Sequence, residues 1–345
     1  MSNQRTELEK LGEFGLIDHL TKDFVNINES TVFGIGDDAA VISISEEDAK
    51  LVSTDMLIEG VHFNLMYMPL KHLGYKAVAV NVSDICAMNG TPEQITVSIA
   101  VSNRFPVEAL EELYEGIRTA CSIFKVDLVG GDTTSSLSGL SISITAIGSV
   151  KKKDITYRSG SKEGDLLVTT GDLGAAYMGL QILEREKAVY NENPNIQPDL
   201  DGHDYIIERQ LKPEARIDIL KYLKELDVKP SSMIDISDGL ASEIMHLCKA
   251  SKVGCHVYDE KIPIDAKTSM TALEFNMDPS TCALNGGEDY ELLFTVPQSD
   301  FEKIKGNPHM SIIGHMTNEA DGVYFIDKGG SALELKAQGW NHFDN

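Results

Sequence analysis

Phe14, Leu16, Ile17 and Leu20 recur at helical spacing, so a helix is predicted over 13–20, ending before the polar stretch 21–30. Segments 39–44 and 51–54 alternate or run apolar and read as strands joined by the acidic hairpin Glu46-Glu47-Asp48. That places Asp37 and Asp38 before one strand and Asp55 at the close of the next. The most informative helix is predicted over 69–88. Leu73, Ala77 and Val80 set an apolar stripe, and the next positions on it are Asp84 and Met88. A carboxylate therefore stands where a core residue is due. Unpaired burial of such a group is costly, so Asp84 is expected to meet a metal or a polar cluster. The alternative is a slightly rotated helix with Asp84 at the surface.

Further along, 94–101 alternates as a strand. A helix over 106–124 carries Pro106 in its first turn, with Leu110, Leu113, Ile117 and Cys121 on one face. A short buried strand over 127–129 is expected to run into Gly130-Gly131-Asp132, and 140–150 is another strand. The basic run Lys151-Lys152-Lys153 marks a boundary, giving two expected domains, 1–150 and 151–345. The second half reads as strand 165–170, helix 175–187, loop 191–204, helix 214–226, strand 233–236 and helix 239–250. Strand 290–296, helix 298–304 and strands 310–315 and 323–326 follow. Strands and helices alternate in both halves, so the fold class is α/β or α+β.

Composition changes the picture mainly through charge. With 345 residues, 30 basic and 54 acidic side chains, the net charge is −24, which argues against nucleic acid or an anionic membrane as partner. Any anionic ligand then needs bridging cations. Five scattered cysteines without a C-x-x-C pair read as reduced core residues. No segment reads as a signal peptide or a membrane span, and a cytoplasmic protein is expected.

The chemistry lies in acids set beside glycines and hydroxyls. They are Gly36-Asp37-Asp38, Ser53-Thr54-Asp55, Asp84, Gly130-Gly131-Asp132-Thr133-Thr134, Asp235-Ile236-Ser237-Asp238-Gly239 and Gly286-Gly287-Glu288-Asp289. Hard divalent cations take oxygen ligands, and Mg²⁺ in particular takes one or two carboxylates plus phosphates and water. No His or Cys cluster stands at zinc-ligand spacing. There is no lysine-bearing phosphate loop and no dinucleotide fingerprint, so metals rather than lysines must neutralise any bound phosphate. Each fragment alone is equally a turn or a helix cap. Six of them together point to one shared pocket filled with divalent metal and phosphate. A calcium-stabilised structural fold is the competing view, although the EF-hand loop pattern is missing.

The segments GIGDDAAV (34–41), STDMLIEGVHF (53–63), LGYKAVAVNVSDICAMNGTP (73–92), GGDTT (130–134), YRSG (157–160), IDISDGL (234–240), LNGGEDYELLFTV (284–296) and GWNHF (339–343), in order over nearly the whole chain, closely resemble the thiamine-monophosphate kinase family of the aminoimidazole ribonucleotide synthetase superfamily. The resemblance implies a two-domain fold whose N-terminal domain forms a β-barrel with its twin across a homodimer. It implies transfer of the ATP γ-phosphoryl group onto thiamine monophosphate, giving thiamine diphosphate and ADP. On matching positions it implies a site for several Mg²⁺ ions at Asp38, Ser53, Thr54, Asp55, Asp84, Asp132, Asp235 and Asp238, with Asp37 beside them. Gly131, Asp132, Arg158 and Ser237 are implied to face the ATP phosphates, with Tyr114 as a further nucleotide contact. His62, Glu288 and Trp340 are implied to face the acceptor.

Elementary chemistry agrees with that implication. A phosphate monoester has a second pKa of about 6, so the acceptor is largely dianionic at neutral pH and needs no general base. It needs relief from repulsion against ATP, which positioning and electrostatics supply. Other ATP-dependent synthetases of the superfamily, or a non-catalytic nucleotide or metal module, are the alternatives. Selenophosphate synthetase and the hydrogenase-maturation dehydratase need terminal cysteines that MSNQRTELEK and GWNHFDN do not carry.

Overall fold

β3 (Asp48–Ile58) pairs antiparallel with β6 (Leu140–Lys151) along its whole length, Asp48 opposite Lys151 and Ile58 opposite Ser141. Every second residue of β6 from Leu140 to Val150 is buried, the two-residue period of a sheet with one face on a core. The computed structural model describes residues 11–337. Its first half contains α1 (Gly12–Thr21), β1 (Thr31–Phe33), β2 (Ala40–Ser43), β3, α2 (Leu70–Ala87), β4 (Thr91–Val101), α3 (Val107–Phe124), β5 (Asp127–Ser135) and β6. The strands form an open six-stranded sheet in the order β1-β2-β3-β6-β4-β5, parallel only between β4 and β5.

The second half contains β7 (Leu166–Thr170), α4 (Ala175–Glu192), α5 (Asp204–Leu211), α6 (Ile217–Glu225), β8 (Ser232–Asp235), α7 (Leu240–Ser251), β9 (Val253–Tyr258), α8 (Ala266–Glu274), α9 (Pro279–Asn285), β10 (Leu292–Val296), α10 (Phe301–Ile304), β11 (Met310–Asn318), β12 (Val323–Ile326) and β13 (Ala332–Glu334). Its seven-stranded sheet runs β13-β12-β9-β11-β7-β10-β8, with β9 and β12 its one parallel pair. The class is mixed α and β, as expected. Neither sheet closes into a barrel within the chain.

α2 is the axis of the molecule. It packs on β3, β4 and β6 to one side and on β8 and α5 to the other. One apolar core accordingly runs across both halves, from Val82 and Ile85 of α2 to Met233, Leu292 and Phe294 of the second sheet. Against α3 the approach is close: a Cβ on Gly74 would lie 2.0 Å from the Leu113 carbonyl oxygen, and one on Gly116 1.9 Å from that of Lys71.

The structure corrects several expectations. α2 is buried nearly all round, polar Lys76, Asn81 and Ser83 included, so the expected apolar stripe is no stripe. Asp55 lies inside β3, which continues to Ile58. The expected buried strand over 127–129 is instead a nine-residue edge strand exposed at every position. Helix α5 begins where a loop was expected, and β9, α8 and α9 occupy stretches with no predicted element.

Candidate active site

A cleft of about 930 Å³ opens between the halves, lined among others by Asp37, Asp38, Asp55, Asp84, Asp235 and Asp238. Three of these acids converge. Asp38, Asp84 and Asp235 each offer a carboxylate oxygen, and the three oxygens lie within 4.8 Å of one another.

Each arrives by a different route. Asp38 comes from the loop between β1 and β2, Asp84 from α2, and Asp235 from the end of β8. On β3 the alternation puts Ser53 and Asp55 on the inner face, where the Ser53 hydroxyl donates to Asp84 Oδ2. Thr54 also lines the cleft, while its hydroxyl lies 3.0 Å from the Ile144 carbonyl oxygen. The loops carrying Asp235–Asp238 and Glu288 pack against each other through two glycines. Gly239 has φ +115° and Gly287 φ +70°, and a Cβ on Gly287 would meet the Ser237 carbonyl oxygen at 2.6 Å.

Like charges in a buried space hold on to protons. Burial, then the charge of Asp38, pushes the Asp235 carboxyl up to about 7. Burial and Asp38 likewise push Asp37 up to about 7. Burial pushes Asp84 well up, with Asp55, Asp235 and Asp38 adding to it. Asp38 also rises through burial, opposed by Arg158, whose Nε lies 3.1 Å from Asp38 Oδ1. Asp38 Oδ2 is buried and has no hydrogen-bond partner among the described residues. A buried carboxylate oxygen without a donor, facing two further carboxylates, is the donor set a hard cation completes. The residues present therefore fit magnesium.

Other implied residues fall in two groups. His62, Ser237, Asp238 and Glu288 line the same cleft, as does Arg158, whose guanidinium is turned onto Asp38. Gly131, Asp132 and Tyr114 do not line it. Gly131 and Asp132 sit on the exposed edge strand β5, and Tyr114 lines a shallow hollow between α3 and β5 with Arg118 and Leu128. Within the described residues, the implied site residues therefore do not all share one pocket. Trp340 lies outside the described residues.

Sequence reasoning missed the residues that hold these groups in place. Asn81 Oδ1 accepts from the Asp55 N–H at 3.0 Å, and the Ser83 hydroxyl donates to Asp235 Oδ2 at 2.5 Å. Glu243, in the first turn of α7, accepts from the N–H groups of Ser237 at 3.1 Å and Asp238 at 2.8 Å. The signal available was the one that marked Asp84, a polar side chain inside an apolar helical run.

Comparison with known proteins fits this arrangement. Residues 36–150 match the family model for the AIR synthase related protein N-terminal domain, and 162–327 that for the C-terminal domain. The chain is 36% identical over 338 residues to the thiamine-monophosphate kinase of Aquifex aeolicus, covering 97% of this chain and 99% of that one. It is 32% identical over 338 residues to that of Bacillus subtilis, covering 96% and 100%. The chain belongs to the thiamine-monophosphate kinase family. Within that family, a solved structure of AaThiL complexed with AMPPCP and TMP superposes with a TM-score of 0.82 at 32% identity, covering 99% of this chain and 100% of that chain. The chain carries both AIR synthase related domains in one polypeptide. Among its described residues no helix is long and apolar enough to cross a membrane.

Proposed function

We propose that this cleft transfers the γ-phosphoryl group of ATP to thiamine monophosphate, forming thiamine diphosphate and ADP. The observation that carries the reading is the convergence of Asp38, Asp84 and Asp235 in a chain that matches a relative over 97% of its length. Asp38, Asp84 and Asp235 would hold Mg²⁺, with Asp55 and Asp238 at the rim of the same space. When bound, the cations neutralise phosphate oxygens and so relieve the repulsion between donor and acceptor.

The chain's own residues do the rest. Ser83 and Ser53 fix the carboxylates of Asp235 and Asp84 by hydrogen bonds, and the Asn81 side chain fixes the backbone at Asp55. Arg158 neutralises Asp38 in the metal-free protein, and we assign it to a phosphate once cations take over that role. Ser237, at the entrance to α7 with its hydroxyl 3.5 Å from Glu243 Oε1, lines the cleft and is assigned to the phosphates. His62 and Glu288 face the acceptor. No general base is assigned, because the attacking phosphate oxygen is already ionised at neutral pH.

Gly131, Asp132 and Tyr114 enter the reading through a second copy of the chain. Among the described residues β5 pairs only with β4 and leaves its other edge open, with Leu128 and Val129 exposed. An open, partly apolar edge favours pairing with another chain. In a homodimer closed there into a barrel, these three residues would serve a nucleotide held in the partner's cleft.

The test is formation of thiamine diphosphate, followed chromatographically, from thiamine monophosphate, ATP and Mg²⁺. The expected result is one ADP per thiamine diphosphate and no turnover with EDTA. ATP consumption without thiamine diphosphate would overturn the reading.

A further inference from the structure

Lys76 is among the largest fully buried side chains of the described residues, 1% exposed in the middle of α2. Burying an ammonium is costly unless it is paired and hydrogen-bonded. Its Nζ lies 2.8 Å from Glu288 Oε1 and donates to the Gln210 carbonyl oxygen at 3.1 Å. Gln210, 2% exposed on α5, in turn donates from Nε2 to Glu288 Oε2 at 2.7 Å. Both carboxylate oxygens of Glu288 are therefore gripped from behind, one by each half of the molecule.

The backbone of Glu288 is held as well. It adopts φ +60°, a left-handed conformation that a non-glycine residue takes only when its surroundings impose it. The imposing contact is the Glu288 N–H on the Ser237 carbonyl oxygen at 2.7 Å. An ionised carboxylate has about four lone-pair directions. Lys76 and Gln210 occupy one on each oxygen, and the side chain still lines the cleft.

We propose that Lys76 and Gln210 are positioning residues that fix the Glu288 carboxylate, so that its remaining lone pairs form a rigid acceptor for a donor group on the heterocyclic end of the acceptor substrate. The inference rests on the reading that Glu288 faces that substrate. In this arrangement Glu288 is no mobile counter-ion, because Lys76 already balances its charge. Selectivity comes from the fixed direction in which Glu288 accepts a hydrogen bond.

The test compares steady-state constants of Lys76→Met, Gln210→Leu, Glu288→Gln and the Lys76→Met/Glu288→Gln double variant. Lys76→Met is expected to raise KM for thiamine monophosphate about tenfold, and Gln210→Leu about threefold, as loss of a hydrogen bond to a charged group predicts. KM for ATP stays within about twofold of the parent in both, the scale of a change that leaves transition-state contacts to the nucleotide intact. The double variant is expected to be no worse than Glu288→Gln alone, because Lys76 acts through Glu288. A merely structural role moves both KM values together and gives additive losses, and either result overturns the proposal. Should Lys76→Met fail to fold, Gln210→Leu decides: an unchanged KM for thiamine monophosphate overturns it. If the parent protein itself does not phosphorylate thiamine monophosphate, the functional reading falls first and takes this inference with it. If the parent is active and the variants behave otherwise than stated, only the inference falls.

Discussion

The Ser83 hydroxyl donates a 2.5 Å hydrogen bond to Asp235, joining the buried helix of one half to the last strand residue of a β-strand 152 positions away. With this bond one Asp235 oxygen is fixed in a carboxylate that also offers an oxygen to the cluster with Asp38 and Asp84. Residues that orient a metal ligand typically contribute one to two orders of magnitude in metal affinity. Ser83→Ala is accordingly expected to raise the Mg²⁺ concentration for half-maximal activity about tenfold, with saturating Mg²⁺ restoring most of the rate. An unchanged magnesium titration would show that Asp235 is held by other means.

Asp84→Asn removes one of three converging charges while preserving shape. Because burial and its acidic neighbours push the Asp84 carboxyl well up, its ionised form opposes the native state. The substitution is expected to raise the melting temperature in EDTA by a few degrees and to abolish both activity and the stabilisation that Mg²⁺ gives the parent. A variant that melts lower than the parent in EDTA would mean that the cluster is not under mutual repulsion.

How much of this was legible in the sequence depended on whether a residue's partner lay nearby in the chain. The acids beside glycines could be read because a carboxylate in a turn is visible without knowing what it meets. Asp84 stands out in the sequence as a break in a stripe. The structure gives a different reason: α2 is buried nearly all round, and Asp84 sits where that helix opens into the cleft. Lys76, Asn81 and Ser83 broke the same apolar run and went unread, because their partners Glu288, Asp55 and Asp235 come together only through tertiary packing. α5 was invisible because its sequence, DYIIERQL, is short and polar and follows a proline-containing loop. β5 reads as buried because Leu128 and Val129 are apolar, a pattern that does not distinguish a core strand from an exposed sheet edge.

That last ambiguity yields a subunit experiment. Asp132→Asn and Asp235→Asn are each expected to be inactive alone. If Asp132 serves the partner's cleft, a co-expressed equal mixture contains hybrids in which one composite site is intact. With random pairing in a two-fold dimer, about a quarter of the parent activity returns. If Asp132 worked within its own chain, every hybrid would pair one Asp132-deficient site with one Asp235-deficient site, and the mixture would stay inactive.

The carboxyl cluster also sets the pH dependence of stability, and its sign follows from which state binds protons more tightly. Unfolded aspartates titrate at about 3.9. In the folded chain, burial first and like charges second push Asp37 and Asp235 up to about 7, with Asp84 raised in the same direction. Burial raises Asp289 to about 7 as well, against the pull of Arg209. The native state therefore holds protons that the unfolded state releases, and stability falls as pH rises through about 7. His246, pushed down to about 4 by burial and by Arg158, acts oppositely, but only up to its unfolded pKa of about 6.5. Between pH 6.5 and 8 the carboxylates act with little opposition. Melting temperatures in EDTA should decline across that window, and the increment from adding Mg²⁺ should grow, because the cation binds the ionised cluster. A melting temperature in EDTA that rises from pH 6.5 to 8 would show that these carboxylates are already ionised in the metal-free fold, with Arg158 neutralising more of the cluster than Asp38 alone.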